Sequence, residues 1–129
     1  MMTWKSLSAV AVGLAALAFA AGAEAQGSMK PKHGGVVQMT GETTVELVNA
    51  PGGVAIYVRE DDEDVASTDM TARLTITTKA GAVSNAQMTP AAGNKFEAKG
   101  LKLAPGSKVG VMLVNKATQA RASTTFTIN

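Results

Sequence analysis

From Val36 onward, short β-branched and apolar runs alternate with clusters of Gly, Pro, Asn and Asp. Turn signals that recur about every eight to twelve residues are typical of an all-β sandwich or barrel. No window has the hydrophobic period of a helix. The pattern therefore predicts strands at residues 36–40, 44–48, 54–59, 72–78, 83–88, 95–98, 108–115 and 121–128.

Alternation within these strands indicates which side chains face the core. Polar residues flank Leu74 and Ile76, so these two side chains are predicted to point inward. Phe126 follows the same period near the C-terminus. Residues 109–114 are instead apolar at five of six positions, which predicts a central strand covered on both faces. Gly110 would mark a bulge or a close approach of another segment.

Two loops determine how the strands connect. Residues 49–53 (NAPGG) are expected to form a loop between two neighbouring strands. The acidic run at residues 60–64 (EDDED) is expected to carry the chain from one sheet to the other. Calcium loops use Gly for their sharp turn, and this run contains none, so we interpret it as a solvated loop.

The first 25 residues have the pattern of a secretory signal peptide. Lys5 precedes an apolar run at 7–21, and residues 23–25 (AEA) form a small-x-small cleavage site. An uncleaved anchor is the alternative, but about 15 apolar residues fall short of the roughly 20 that span a bilayer. We therefore expect cleavage after Ala25, a periplasmic or secreted protein, and no stable membrane anchor afterwards.

Three segments follow from these patterns. They are a signal peptide at residues 1–25, a flexible N-terminal arm at 26–34 and a β-sandwich domain at 35–129. The arm is polar and is interrupted by Pro31. The domain is long enough to fold on one modest core, and we expect it to be monomeric.

Composition narrows the possible functions. The chain has no cysteine, so disulfides and thiolate metal sites are excluded. Its formal net charge is +2 at pH 7, and loss of Lys5 and Glu24 with the signal peptide would leave that value unchanged. This balance, with one Trp, one Tyr and three Phe, gives no reason to expect nucleic-acid binding.

Enzyme activity is not expected either. Acid–base or nucleophilic catalysis needs a base beside a nucleophile and usually a third group that orients the base. His33 is the single histidine, and the acidic side chains that could form a carboxylate pair cluster in the run at 60–64. The sequence therefore predicts no catalytic residues.

Soft-metal binding is the sharper hypothesis. Thioether and imidazole ligands suit copper(I) and other soft or borderline ions, and Met29, His33 and Met39 lie within eleven residues. Met70 and Met88 are further thioethers, although a methionine in a predicted strand, as Met88 and Met112 are, more often fills a core. The alternative for His33 is a structural role, in which it caps a turn or hydrogen-bonds across the sheet.

Glu46 is a polar residue in an otherwise apolar strand. If Val48 pairs with Val54, Glu46 shares a face with the apolar side chains of the next strand, and its desolvated carboxylate would need a partner. A one-residue bulge would instead place Glu46 beside Tyr57 and Arg59. Both arrangements would let it balance an imidazolium, or a metal ion, at His33.

Several short motifs resemble those of a small exported β-sandwich domain. Such domains occur as free-standing periplasmic proteins and near the N-terminus of periplasmic adaptor subunits of heavy-metal efflux pumps. The motifs are His33-Gly34-Gly35-Val36-Val37, Val45-Glu46-Leu47-Val48, Ile56-Tyr57-Val58 and Ala104-Pro105-Gly106-Ser107-Lys108-Val109.

This resemblance implies an immunoglobulin-like antiparallel sandwich of seven or eight strands and a link to metal handling. It carries over onto His33, Gly34, Gly35, Glu46 and Tyr57. The acidic run is longer and more charged than the Asp-Gly turn expected at that place in the family.

Two functions are therefore predicted, and both are non-enzymatic. The first is a binding or accessory module in periplasmic copper or heavy-metal homeostasis, with His33, Glu46 and Met39 as candidate ligands and a metal-efflux or other periplasmic protein as partner. The second is a structural or protein-interaction domain without a metal role. In it, Gly34 and Gly35 let the chain turn tightly, and His33, Glu46 and Tyr57 hold the first strands together.

Overall fold

The computed structural model describes residues 30–129, in which nearly all regular structure is β-strand. Ten strands form two antiparallel sheets, and one 3-10 turn, Ser67–Asp69, lies between them in the chain. Buried apolar side chains of both sheets form one cluster. The prediction of an all-β sandwich is confirmed.

The strands are β1 (Val36–Thr40), β2 (Thr43–Ala50), β3 (Gly53–Glu60), β4 (Glu63–Asp64), β5 (Met70–Thr77), β6 (Val83–Gln87), β7 (Thr89–Pro90), β8 (Lys95–Lys99), β9 (Lys108–Asn115) and β10 (Arg121–Thr127). The first sheet has the order β1-β2-β3-β8-β7, and β4 also pairs with β3. The second sheet has the order β10-β9-β5-β6. All eight predicted strands are present, whereas the two-residue strands β4 and β7 were not predicted.

The strand order is that of an immunoglobulin-like sandwich. Strands β3 and β8 pair in the first sheet, and β5 and β9 pair in the second, so each sheet joins strands that are distant in the chain. Strands β2-β3-β8-β7 correspond to A-B-E-D of that fold, and β10-β9-β5-β6 correspond to G-F-C-C′. Strand β1 is an addition at the outer edge of β2.

The core lies between the two sheets and follows the predicted alternation. Leu74 and Ile76 are buried, as is Phe126, which confirms the inward faces of β5 and β10. The side chains with the largest buried volume are Phe96, Phe126, Ile56, Leu74, Leu113, Val45, Val58, Val109 and Val111. Burial of this apolar surface is the main force that holds the sheets together.

Strand β9 is central, as predicted, but it is buried on one face only. Val109, Val111 and Leu113 point into the core, whereas Met112 is half-buried on the outer face of the second sheet. The prediction of cover on both faces was therefore wrong. Gly110 pairs in regular register with its neighbours, and a Cβ there would lie 3.8 Å from the nearest atom, so it marks neither a bulge nor a close approach.

A two-residue turn sets the register of β2 against β3. Ala50 pairs with Gly53, so only Pro51 and Gly52 lie between the strands, and the longer loop predicted at 49–53 does not form. This alignment is one residue away from the pairing of Val48 with Val54. In a strand a one-residue shift exchanges the two faces, and here it places Glu46 opposite Tyr57, on the outer face, without a bulge.

The acidic run forms a tight hairpin, not the crossing between sheets that the sequence suggested. Asp61 and Asp62 have φ of 50° and 64°, the left-handed conformation that both central residues of a type I′ turn adopt. The chain then returns along β3 as β4, and all five acidic side chains are exposed. The crossing to the second sheet follows at residues 65–69.

The predicted signal peptide, residues 1–25, and residues 26–29 of the predicted arm lie outside the described residues. Residues 31–129 form one compact unit. No helix within residues 30–129 is long and apolar enough to cross a membrane.

The hairpin makes opposite predictions for two substitutions at one site. Asp62→Gly should raise the free energy of unfolding by about 0.5–1 kcal/mol, because glycine adopts a positive φ without strain. Asp62→Ala should lower it by about 1 kcal/mol, since alanine lacks the tolerance of Asp for this conformation. The 3.8 Å contact of Asp62 with Arg59 is lost in both variants, so it does not affect the difference between them.

Urea denaturation of the three proteins measures both effects. Changes of the same sign in the two variants would show that the left-handed conformation of residue 62 does not determine how its substitution affects stability.

Candidate functional site

The outer face of the first sheet brings Glu46 and Tyr57 together. Residues that pair across neighbouring strands lie side by side on one face, and one such row runs through Val37, Glu46, Tyr57 and Lys95. Glu46 is only 5% exposed although it faces away from the core. It is covered by the segment of the arm that precedes β1.

Three backbone N–H groups, two from the arm and one from Gly35 directly after it, surround the Glu46 carboxylate. Lys32 donates to Oε1 at 2.9 Å, and His33 and Gly35 donate to Oε2 at 2.8 and 2.9 Å. Hydrogen bonds to an ionised carboxylate are about twice as strong as those between neutral groups. We call this arrangement of Lys32, His33, Gly35 and Glu46 the arm clasp.

The arm clasp determines the protonation of Glu46. Burial is the largest influence and acts to raise the pKa of Glu46, but the N–H groups of Gly35, Lys32 and His33 and the charge of the His33 ring act against it. The net result is a pKa below the ordinary value of 4.5. The carboxylate therefore stays ionised at neutral pH inside the clasp.

Two glycines allow the arm to wrap around this carboxylate. Gly34 has a φ of +75°, which lets the chain reverse between the donors at His33 and Gly35. A Cβ on Gly35 would lie 2.2 Å from the backbone oxygen of Leu47, so only glycine fits against β2 at that point. The close contact of Gly35 with β2 has no signature in the sequence.

The imidazole of His33 lies flat against the Tyr57 ring. The ring centroids are 3.5 Å apart and the planes differ by 8°. The Lys95 ammonium lies 5.9 Å from the Tyr57 centroid, at the outer limit for a cation–π contact. The side chain of His33 thus adds to the attachment that its backbone N–H already makes to Glu46, and the three residues of the structural hypothesis are in contact.

A polar cleft of about 220 Å³ lies beside the arm clasp. Its lining side chains come from the arm, from strands β2, β3 and β4 and from the turn before β8, and they are Lys32, His33, Thr44, Glu46, Tyr57, Arg59, Asp64 and Asn94. Asn94 was not singled out by the sequence analysis. Its side-chain amide donates to the Val58 carbonyl at 3.0 Å and to Asp64 at 3.4 Å, contacts that link positions far apart in the chain.

The predicted metal ligands lie on one face but do not converge. Met39 pairs with Thr44, two residues along β2 from Glu46, which puts Met39 and Glu46 in a diagonal relation of roughly 7–8 Å. Met39 is 41% exposed. Within residues 30–129, no group of three His, Asp or Glu side chains is placed to hold a metal ion. The ligand set of His33, Glu46 and Met39 stays a prediction.

The other methionines have separate positions. Met70 and Met88 are each 3% exposed and belong to the core, which confirms the core-filling interpretation of Met88 and removes both from the candidate ligands. Met112 is half-buried on the outer face of the second sheet, so the core-filling prediction was wrong for this residue. Met29 lies outside the described residues.

Comparisons with known proteins do not assign the chain to a family. No protein-family model matches it, and no match was found among curated proteins. A structural similarity exists to the crystal structure of a Br derivative of BhCBM56, with a TM-score of 0.44 and 14% sequence identity. It covers 70% of this chain and 97% of that chain. The fold assignment above is made on the strand pairing of this chain itself.

The arm clasp predicts a pH-dependent stability. Because the pKa of Glu46 is lower in the folded protein than its ordinary value, its contribution is complete above about pH 4.5 and is lost as the pH falls toward the folded pKa. Glu46→Gln should lower the free energy of unfolding at pH 7 by about 1–3 kcal/mol, since the amide has one oxygen to offer three N–H donors. The difference from the wild type should shrink below pH 4.5.

Glu97→Gln is the matched control, because Glu97 lies on the same face but is one-third exposed and forms an ion pair with Lys95 at 3.7 Å. Denaturation of the three proteins between pH 3 and 7 measures the effect. A difference between Glu46→Gln and wild type that does not change with pH would contradict the role of the ionised carboxylate.

The two glycines should respond differently to substitution. Gly35→Ala should displace the arm, because its Cβ meets backbone atoms of β2, whereas Gly34→Asn should be tolerated, because the space around Gly34 is open and Asn accepts a positive φ. Trypsin cleavage after Lys32 reports the displacement, since Pro31 protects the bond after Lys30. Cleavage in Gly35→Ala should be about tenfold faster or more than in wild type. Equal cleavage rates in the two variants would count against the close contact at Gly35.

Proposed function

We propose that this protein is an exported, non-enzymatic accessory β-sandwich of the periplasm in which the arm clasp has a structural role and the outer face of the first sheet serves protein interaction. One observation carries the proposal: both oxygens of Glu46 already accept hydrogen bonds, from three backbone N–H groups. A carboxylate held in this way stabilises the fold. It is poorly placed to act as a general base or to bind a metal ion strongly.

The same reasoning applies to His33. Its backbone N–H donates to Glu46 and its ring stacks on Tyr57, so both parts of the residue attach the arm to the sheet. Residues 32–35 are thus held on the outer face, with exposed Lys32 and half-buried Lys95 near the two rings. Aromatic rings are enriched in protein interfaces, so the accessible pair of His33 and Tyr57 supports contact with another periplasmic protein.

Export is part of this proposal and is supported by the sequence. The basic start, apolar run and small-residue cleavage site of residues 1–25 are the features that secretion requires. The absence of cysteine from the whole chain is compatible with an oxidising compartment, since no thiol is exposed to oxidation there.

A role in copper or heavy-metal homeostasis is the second candidate, with a metal-efflux protein as partner. The observation in its favour is that Met39, Glu46 and His33 all lie on the outer face, with His33 in contact with Glu46 and with Met39 diagonal to it. An exposed imidazole and an exposed thioether would suit copper(I). The carboxylate would contribute charge to such a site more readily than a direct bond.

Two substitutions at His33 separate the candidates. His33→Phe keeps an aromatic ring against Tyr57 but removes the imidazole, whereas His33→Ala removes both. In the structural proposal, His33→Ala lowers the free energy of unfolding by about 1 kcal/mol and His33→Phe restores most of that loss. The proteins should bind copper(I), copper(II) and zinc no better than micromolar.

Metal titration of wild type, His33→Ala, His33→Phe and Met39→Leu, alongside thermal denaturation, provides the measurement. Submicromolar binding by the wild type that is lost in His33→Phe and weakened in Met39→Leu would replace the structural proposal with the metal role.

A further inference from the structure

The two ends of the sandwich carry opposite charge. The short segment at residues 65–69 joins the end of β4 to the start of β5, so the end of β3 and the start of β5 lie at one end of the sandwich. The start of β3 and the end of β5 lie at the other. We call the first the acidic end and the second the basic end.

Most acidic side chains of the described residues lie at the acidic end. They belong to the turn before β2, to the β3–β4 hairpin and to the 3-10 turn, and they are Glu42, Glu60, Asp61, Asp62, Glu63, Asp64 and Asp69. All seven are exposed. The negative charge therefore projects from one set of loops.

The basic end carries four exposed lysines. Lys108 starts β9 and pairs with Thr77 at the end of β5, and Lys79 follows two residues later with its side chain along the turn at Gly106. Lys99 ends β8 opposite Gly53, and Lys102 lies in the connection to β9. No Asp or Glu side chain lies in the described loops at this end, which are residues 49–53, 78–82 and 99–108.

Apolar side chains lie between these lysines. Val83 begins β6 directly after the turn that contains Lys79, and it is 64% exposed, the most exposed large apolar residue of the described chain. Exposed Ala82 precedes it. On the neighbouring loop, Ala104 and Pro105 are exposed next to the segment that contains Lys102.

We propose that the basic end docks on the surface of an anionic phospholipid bilayer. Lysines near such a surface are attracted to its headgroups, and each adds to the binding free energy without the need for a shaped pocket. Binding to a membrane surface grows with the apolar area that enters the interface as well as with charge, so the exposed apolar side chains near these lysines favour a lipid surface over a soluble anion. The acidic end is repelled by the same surface, so the long axis of the sandwich would stand upright with β6 and the β8–β9 connection toward the lipid.

This inference does not depend on the structural or metal role of the arm clasp. It concerns loops at the basic end, whereas the proposed function concerns the outer face of the first sheet. Failure of one leaves the other unaffected, because the His33 variants and the lysine variants report on different surfaces.

The test is co-sedimentation of the protein, as recovered after export, with vesicles of phosphatidylcholine alone or of phosphatidylcholine with phosphatidylglycerol. The triple variant Lys79→Gln, Lys102→Gln, Lys108→Gln is compared with a control triple, Arg73→Gln, Lys116→Gln, Arg121→Gln, whose positions lie in β5 and around the β9–β10 turn. Both remove three positive charges, but the control positions are away from the basic end. Their equal net charge separates the effect of position from that of total charge.

Wild type should bind the anionic vesicles at low salt, bind phosphatidylcholine weakly, and lose affinity as salt approaches about 0.5 M. The first triple variant should bind the anionic vesicles roughly a hundredfold more weakly, at about fivefold per lysine, and the control triple within about twofold of wild type. Val83→Ser should weaken binding by about fivefold without changing the salt dependence.

Three results would overturn the proposal. The first is an equal loss of vesicle affinity in the two triple variants. The second is vesicle binding whose affinity does not depend on lipid charge or salt. The third is salt-sensitive association of the protein with its own copies in place of vesicle binding. The last result would mean that the basic end meets the acidic end of a second molecule.

Discussion

The structure before and around β1 depends on one ionised carboxylate, that of Glu46, which is covered although it lies on the outer face of the first sheet. Glu46 has lost most of its water, and an ionised group in that position must be given hydrogen-bond donors. The sheet cannot provide them, because the N–H groups of β1 and β3 beside it are used in strand pairing. The arm and Gly35 supply three donors, and the backbone path there follows from that requirement.

The conformations of neighbouring residues depend on the same interaction. The chain reverses at Gly34 so that donors on both sides of it can reach one carboxylate, and it passes β2 at a distance that only Gly35 permits. The ring of His33 then lies over Tyr57 because the backbone on either side of it is already fixed. The aromatic stack and the hydrogen bonds are thus parts of one attachment, and removal of either is expected to weaken the other.

The sequence predicted the strands well because one-sided burial imposes a period of two, which Leu74, Ile76 and Phe126 report directly. It failed where backbone geometry decides the outcome. The acidic run was predicted to be a solvated loop that crosses between the sheets, yet its aspartates Asp61 and Asp62 adopt positive φ and form the turn between β3 and β4. The donors to Glu46 are backbone N–H groups, which leave no pattern of side chains in the sequence. The sequence therefore predicted that Glu46 needs a partner, and that His33 and Tyr57 lie near it, but not which groups hold it. The metal assignment stays a prediction.

The turn at Pro51 and Gly52 restricts insertions and deletions between β2 and β3. Their two-residue turn fixes which side of β2 faces the core, and all the chemistry of the arm clasp depends on that choice. If one added residue at this turn made β2 slip by one position, the Glu46 carboxylate would enter the core while Val45 and Leu47 turned to solvent. A deletion that shifted β2 by one position in the opposite direction would exchange the same two faces. Sequences that keep this arrangement should therefore tolerate many substitutions around the hairpin but hardly any insertion or deletion within it.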